Sequence, residues 1–173
     1  AVRSGLVTAL DRNTGELVWE TDLDSPVYAS PTIGDGTVFL GSGASKLFAL
    51  DAQTGQIRWD SPTRDWVVAS AAYADDTVVV TSQGSIVDIF DTKNGRRRLK
   101  YDTGKVRFGG APTIQDDQVY FSSDGGRVWG VDRYAQTYPL ERFIFHVKIN
   151  LYVWKLIPGR PVQRGSVWSK RAG

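Results

Sequence analysis

Ala49-Leu50-Asp51-Ala52-Gln53-Thr54-Gly55-Gln56-Ile57-Arg58-Trp59 repeats an earlier stretch, Ala9-Leu10-Asp11-Arg12-Asn13-Thr14-Gly15-Glu16-Leu17-Val18-Trp19, in the pattern Ala-x-Asp-x-x-Thr-Gly-x-x-x-Trp. A worn copy stands at Ile89-Phe90-Asp91-Thr92-Lys93-Asn94-Gly95-Arg96-Arg97-Arg98-Leu99, and a remnant at Gly130-Val131-Asp132. The anchor aspartates fall at Asp11, Asp51, Asp91 and Asp132. A period of about forty residues in a strand-rich chain predicts stacked or radially arranged sheets rather than one ordinary globular core.

The rest of each unit keeps phase. Ser30-Pro31-Thr32-Ile33, Ser70-Ala71-Ala72-Tyr73 and Ala111-Pro112-Thr113-Ile114 precede the acidic turns Asp35-Gly36, Asp75-Asp76 and Asp116-Asp117. A β-branched run, a Gly/Ser turn and a second apolar run follow each time. About four short strands per unit leave no room for a helix of normal length, so the expectation is all-β. In the Asp-x-x-Thr-Gly turn the carboxylate can accept from backbone N–H groups and the glycine can take a positive φ. Each Trp then lies on the outermost strand, where a flat indole can fill the gap between adjacent sheets. Asp11, Gly15, Trp19, Asp51, Gly55, Trp59, Asp91, Gly95 and Asp132 are therefore read as structural, sheet-docking residues.

These motifs resemble the pyrroloquinoline-quinone (PQQ) enzyme-type repeat, the β-propeller unit of bacterial quinoprotein dehydrogenases. The same unit builds BamB-like assembly lipoproteins and extracytoplasmic sensor domains of some kinases. The resemblance covers roughly residues 5–133; Leu99 stands where a Trp belongs, and the turn is lost after Asp132. It implies a propeller of four-stranded blades, about 3.5 to 4 of them in this chain. It also implies a periplasmic or other extracytoplasmic location, although the first residues do not read as a signal peptide. Family rings of seven or eight blades need roughly 280–320 residues, against 173 here. Half a ring leaves two apolar sheet faces bare. Three resolutions stay open: missing blades in a longer protein, a second copy or related chain, or closure on itself with the tail beside residues 5–20.

Composition changes at residue 134. Residues 134–173 carry a net charge of +6 and residues 1–133 a net charge of −4. Residues 134–157 form an apolar, β-rich segment expected to complete a blade or pair with a partner's sheet edge; a helix is the weaker reading and foreign sequence a further one. Residues 158–173 read as a basic, flexible tail.

Chemistry is sparsely signalled. With no cysteine there is no disulfide or thiolate metal site, and one histidine, His146, makes no zinc centre. Phosphate-cradling and nucleophile-elbow motifs are missing, and no apolar run is long enough for a membrane span. No catalytic, cofactor-binding or metal-ligating residue is assigned. The function expected is a non-catalytic scaffold or protein-interaction module with a protein partner or second copy. The alternative that the resemblance implies is a fragment of a PQQ- and calcium-dependent dehydrogenase. Candidate partner contacts are Arg64, Trp66, Arg96, Arg97, Arg98 and Arg107, with Tyr28 beside them. Arg96–Arg98 fall on an outermost strand, where charge protects a sheet edge, so nucleic acid is not the expected partner.

Overall fold

The structure is a computed structural model describing residues 4–108 and 110–171. Strands β1 (Leu6–Leu10) and β2 (Leu17–Asp22) form a two-stranded sheet, blade A. Blade B comprises β3 (Thr32–Gly34), β4 (Thr37–Gly41), β5 (Lys46–Asp51) and β6 (Ile57–Pro62) in sequence order. Blade C repeats this with β7 (Ala72–Ala74), β8 (Thr77–Ser82), β9 (Ile86–Asp91) and β10 (Arg97–Asp102). Blade D contains β11 (Thr113–Gln115), β12 (Gln118–Ser122), β13 (Arg127–Asp132) and β14 (Ser166–Arg171). All pairings are antiparallel. The all-β, partial propeller expected from the repeat is what forms, and the described sheets do not close into a ring.

The apolar cores lie between blades, not within them. Val7, Leu23, Val27, Val38, Leu40, Phe48 and Leu50 bury together between A and B, and Trp19 packs on them. Phe39, Val67, Val78, Val80 and Phe90 do so between B and C, with Trp59 and Tyr73 against them. Val79, Ile89, Leu99, Val119, Phe121, Trp129 and Val131 fill the C–D junction. Strand alternation produces this: Val78, Val80 and Phe90 face one neighbour, Val79 and Ile89 the other. A middle blade is therefore apolar on both faces, which explains the near-continuous burial of β4, β8 and β9.

The tail departs from expectation in three ways. Residues Glu141–Val153 form a helix, α1, where the β-branched run predicts strand. Glu141 Oε2 accepts the Tyr138 N–H at 3.0 Å just ahead of the helix, tying its first residue to the incoming chain. Glu141, Phe145 and Ile149 make a half-buried stripe at four-residue spacing, a helical period that outweighs intrinsic β propensity. Second, Ser166–Arg171, expected to be flexible, is β14 and completes blade D on β13. Third, the tail supplies no strand beside β1–β2, so the proposed self-closure is not how the described residues are arranged. The boundary drawn at 133 cuts through blade D, and residues 133–165 are an insertion within its outer hairpin.

That insertion lies on blade C. Thr137 N–H donates to Arg98 O at 2.8 Å, and Lys100 N–H donates to Thr137 Oγ1 at 3.0 Å. The Gln163 side-chain amide, correctly oriented, pairs with both the N–H and carbonyl of Asp102. Strand β10, an outer edge, is thereby covered by the chain itself.

Candidate interaction surfaces

The repeated turn shows how one blade is fastened to the next. Asp51 Oδ1 accepts the N–H groups of Gln53 and Thr54, each at 2.9 Å, while Gly55 N–H donates to Asp51 O. Arg58 adds a contact from its Nη2 to Asp51 Oδ2 at 2.7 Å. That guanidinium, then the two amides, lower the Asp51 pKa to about 2. Asp11 repeats the amide contacts, and the N–H groups of Thr14 and then Asn13 lower its pKa. Asp91 and Asp132 each keep one such contact, from Lys93 and Tyr134.

Trp19 crosses to blade B, where its Nε1 donates to Ala52 O at 3.0 Å. Its ring occupies the space beside Gly55, whose Cβ would lie 2.5 Å from Trp19 Cε3. Trp59 repeats the contact on blade C, donating to Thr92 O at 2.9 Å and covering Gly95. Thr21 and Ser61 add hydroxyl bonds to the carbonyls of Gly55 and Gly95. A glycine is required at both turns because φ is positive and an indole fills the Cβ position.

The Leu99 side chain has no N–H to donate where Trp19 and Trp59 have an indole, and the C–D junction is fastened differently. Arg133, buried beside the anchor Asp132, reaches back to blade C. Its guanidinium donates to Thr77 Oγ1 at 3.0 Å, Ala74 O at 2.9 Å, Asp75 Oδ2 at 3.0 Å and Asp76 Oδ1 at 3.2 Å. It also reaches Asp116 O of its own blade at 3.3 Å. Asp75 and Asp76 of the acidic turn are thus anion partners across a blade junction.

Trp168 went unread in the sequence and belongs to the same series. Gly130 pairs with Trp168 as Ala9 pairs with Trp19 and Ala49 with Trp59, each beside the same bulge. Asp132 N–H donates to Gly165 O at 2.7 Å, the counterpart of the Asp51–Gln56 bond. The spacing signature is broken by residues 133–165; the surviving signal is Val167-Trp168, which repeats Val18-Trp19.

The candidate contact residues fall into separate groups. Tyr28, Trp66, Val68 and Arg107, from the equivalent loops that precede β3, β7 and β11, surround one shallow depression with Gln83 of the β8–β9 turn. Tyr28 and Trp66 stack at 6.3 Å, and Trp66 is 51% exposed. Arg64 lies apart, 3.8 Å from Asp102. Arg96 is exposed at a turn. Arg97 and Arg98 are committed inside the fold. Arg97 Nε is 2.9 Å from the buried Asp88 and its Nη2 donates to Pro62 O of blade B. Arg98 holds Asp76 at 3.1 Å and donates to Thr77 Oγ1, much as Arg58 holds Asp51 and Thr37. Helix α1 and its flanks expose Leu140, Phe143, Val153, Trp154 and Leu156. His146 lies on the same helix, its ring edge-on to Phe145.

A family profile described as outer membrane protein assembly factor BamB matches residues 3–135. The chain belongs to the BamB family. Among solved structures, BamB from Moraxella catarrhalis superposes with a TM-score of 0.76 at 22% identity, covering 100% of this chain and 45% of that one. The chain thus spans less than half the length of that BamB. The computationally designed Ika4 protein gives a TM-score of 0.68 at 20% identity, covering 75% of this chain and 81% of the design. The quinohemoprotein alcohol dehydrogenase ADHIIG from Pseudomonas putida HK5 gives 0.58 at 24% identity, covering 68% and 20%. These likenesses establish the shared fold. No curated protein matches the sequence. No described helix is long and apolar enough to cross a membrane. Among the described residues no three His, Asp or Glu side chains gather closely enough to hold a metal ion.

Proposed function

We propose that this BamB-family chain is a non-catalytic β-propeller module that binds a protein partner in an extracytoplasmic compartment. The observation that carries this reading is the depression at Tyr28, Trp66 and Arg107. Three successive units each contribute a side chain to it, and two are exposed, stacked aromatics. Aromatic and arginine side chains gathered on a rigid frame are the usual anchors of protein interfaces. The frame is rigid because each loop begins and ends at a docked blade. Val67 N–H, beside Trp66, donates to Ser42 O at 3.2 Å, and Gln83 N–H donates to Trp66 O at 2.9 Å.

The family description, an outer membrane assembly factor, supports a periplasm-facing location and a membrane-protein assembly partner. Site-specific photocross-linking tests the surface. A photoreactive phenylalanine analogue at position 66 or 28 is expected to give one discrete adduct in cells, and the same probe at position 12 none. Equal labelling from all three positions overturns the reading. So does saturable quenching of tryptophan fluorescence by PQQ with Ca²⁺, which would instead favour the dehydrogenase.

A further inference from the structure

The insertion between β13 and β14 presents an apolar outer side. Helix α1 turns Glu141, Phe145 and Ile149 toward the body of the molecule, where Phe145 lines the cleft beside β10 with Lys100 and Asp102. About half a turn away on the helix stand Phe143, Val147 and Trp154, with Ile144 beside them. Phe143 is 67% and Trp154 71% exposed, and Ile144 and Val147 are exposed as well. Leu140 ahead of the helix and Leu156 behind it are also exposed. So many large apolar side chains on one short element mark an interaction surface.

The charge beside them has one sign. Residues 134–165 hold five basic residues and a single acidic one, Glu141. Glu141 is half-buried and accepts the Tyr138 N–H. Among the described residues no ion pair engages Lys148, Lys155, Arg160 or Arg164. Lys148 and Arg164 border a shallow cleft that also takes in Tyr138, Ile144, Val162 and Glu141. The Arg164 guanidinium lies over the Tyr138 ring, 4.1 Å from its centre.

Aliphatic and aromatic side chains flanked by long cationic ones suit a helix lying in the boundary of an anionic bilayer. Rings and aliphatic groups enter the acyl margin while ammonium and guanidinium groups reach the phosphates. A protein groove fits less well, because lysine is depleted at protein interfaces. At 13 residues the helix is about 20 Å long, enough to lie along a bilayer and too short to cross its roughly 30 Å hydrocarbon core.

We infer that α1 and its flanks are a lipid-binding surface that seats Phe143, Val147 and Trp154 in an anionic bilayer, with Lys148, Lys155 and Arg164 against its phosphates. This surface shares no residue with the Tyr28–Trp66 depression and adds a membrane contact to the partner reading. It runs along β10, the outer edge of blade C, rather than over a sheet face on which a further blade stacks, so its form does not depend on how many blades the ring holds.

Flotation of the full 173-residue chain with vesicles of equal parts phosphatidylglycerol and phosphatidylcholine tests this, beside vesicles of phosphatidylcholine alone. The chain is expected to float with the anionic vesicles at low salt and to lose most of that binding at high salt. Lys148→Gln and Lys155→Gln are each expected to weaken binding about fivefold, and Trp154→Ser about tenfold or more. Their circular dichroism spectra are expected to match wild type, since all three side chains are exposed; if Trp154→Ser departs from it, the lysine variants and the salt series decide. No flotation at low salt overturns the inference, as does equal binding to both vesicles or wild-type binding by the variants. A photoreactive phenylalanine analogue at position 143 that gives one discrete protein adduct, without flotation, assigns the helix to a protein partner instead. Cross-linking through position 66 is expected to survive Trp154→Ser, so the two surfaces stand or fall separately.

Discussion

The indole N–H of Trp59 donates to the carbonyl of Thr92 at 2.9 Å, one residue past the anchor aspartate of the next blade. This bond and the ring's cover over Gly95 join two sheets that share no ladder of backbone bonds. Replacing Trp59 by Ala removes both, and the expected loss is about 3–5 kcal/mol. Trp59→Phe keeps most of the area and loses the hydrogen bond, for about 1–2 kcal/mol. Urea unfolding measures both; equal losses would show that the N–H contributes nothing.

Gly95 and Gly104 separate conformational strain from crowding. Both have positive φ, 68° and 86°, but a Cβ on Gly95 would lie 2.6 Å from Trp59 Cε3, while among the described residues nothing lies within 4 Å of one on Gly104. Gly104→Ala is expected to cost about 1–2 kcal/mol from the left-handed backbone alone. Gly95→Ala must also push an indole out of its seat, so its cost is expected to exceed that of Gly104→Ala by about 2 kcal/mol or more. Matching urea midpoints would refute the steric account.

Asp88 is fully buried between blades, and desolvation raises its pKa from 3.8 to about 6 against the pull of Arg97 and Lys100. A carboxyl whose folded pKa is raised favours the fold most when protonated. Its contribution is therefore complete below pH 4, falls between pH 4 and 6, and is flat above. The size of that fall is about 3 kcal/mol. Asp88→Asn removes the titration, so its stability relative to wild type is expected to climb by that amount from pH 4 to 7. Parallel stability curves for the two proteins would contradict the assignment.

Arg133 occupies the junction where Leu99 replaces the docking indole. Arg133→Ala leaves Ala74 O and Asp75 without this donor and Asp76 and Thr77 with the Arg98 guanidinium alone, and a loss of about 2–4 kcal/mol is expected. Arg133→Lys is expected to recover less than half, because an ammonium cannot span acceptors on both blades as the planar fork does. Discounting for exposed Asp75, most of the loss comes from the buried contacts. Full recovery by lysine would show that charge alone matters.

The blades were legible because their determinants are local. Asp-x-x-Thr-Gly specifies a turn through contacts no more than four residues apart, and alternation specifies which face each strand buries. Trp168 was illegible because its register depends on pairing with Gly130 across an insertion, and spacing carries no trace of that. Helix α1 was misread because Phe143, Ile144, Val147, Ile149 and Val153 favour strands individually. Its four-residue stripe and the Pro158-Gly159 stop were the countervailing signals. Arg97 and Arg98 looked like surface charge, since nothing in one sequence shows a buried Asp88 or a turn carboxylate waiting for them. Tyr28, Trp66 and Arg107 came together because equivalent loops of adjacent units converge.

The detour between β13 and β14 bears on the order in which the molecule assembles. Blades B and C close their last hairpin over a handful of residues, whereas blade D must bring its final strand back across 133–165. Loop closure over that longer span costs about 2 kcal/mol more entropy. Strand β14 therefore carries the largest closure cost of the outer strands, and the A–B and B–C junctions involve only residues that precede it in the chain.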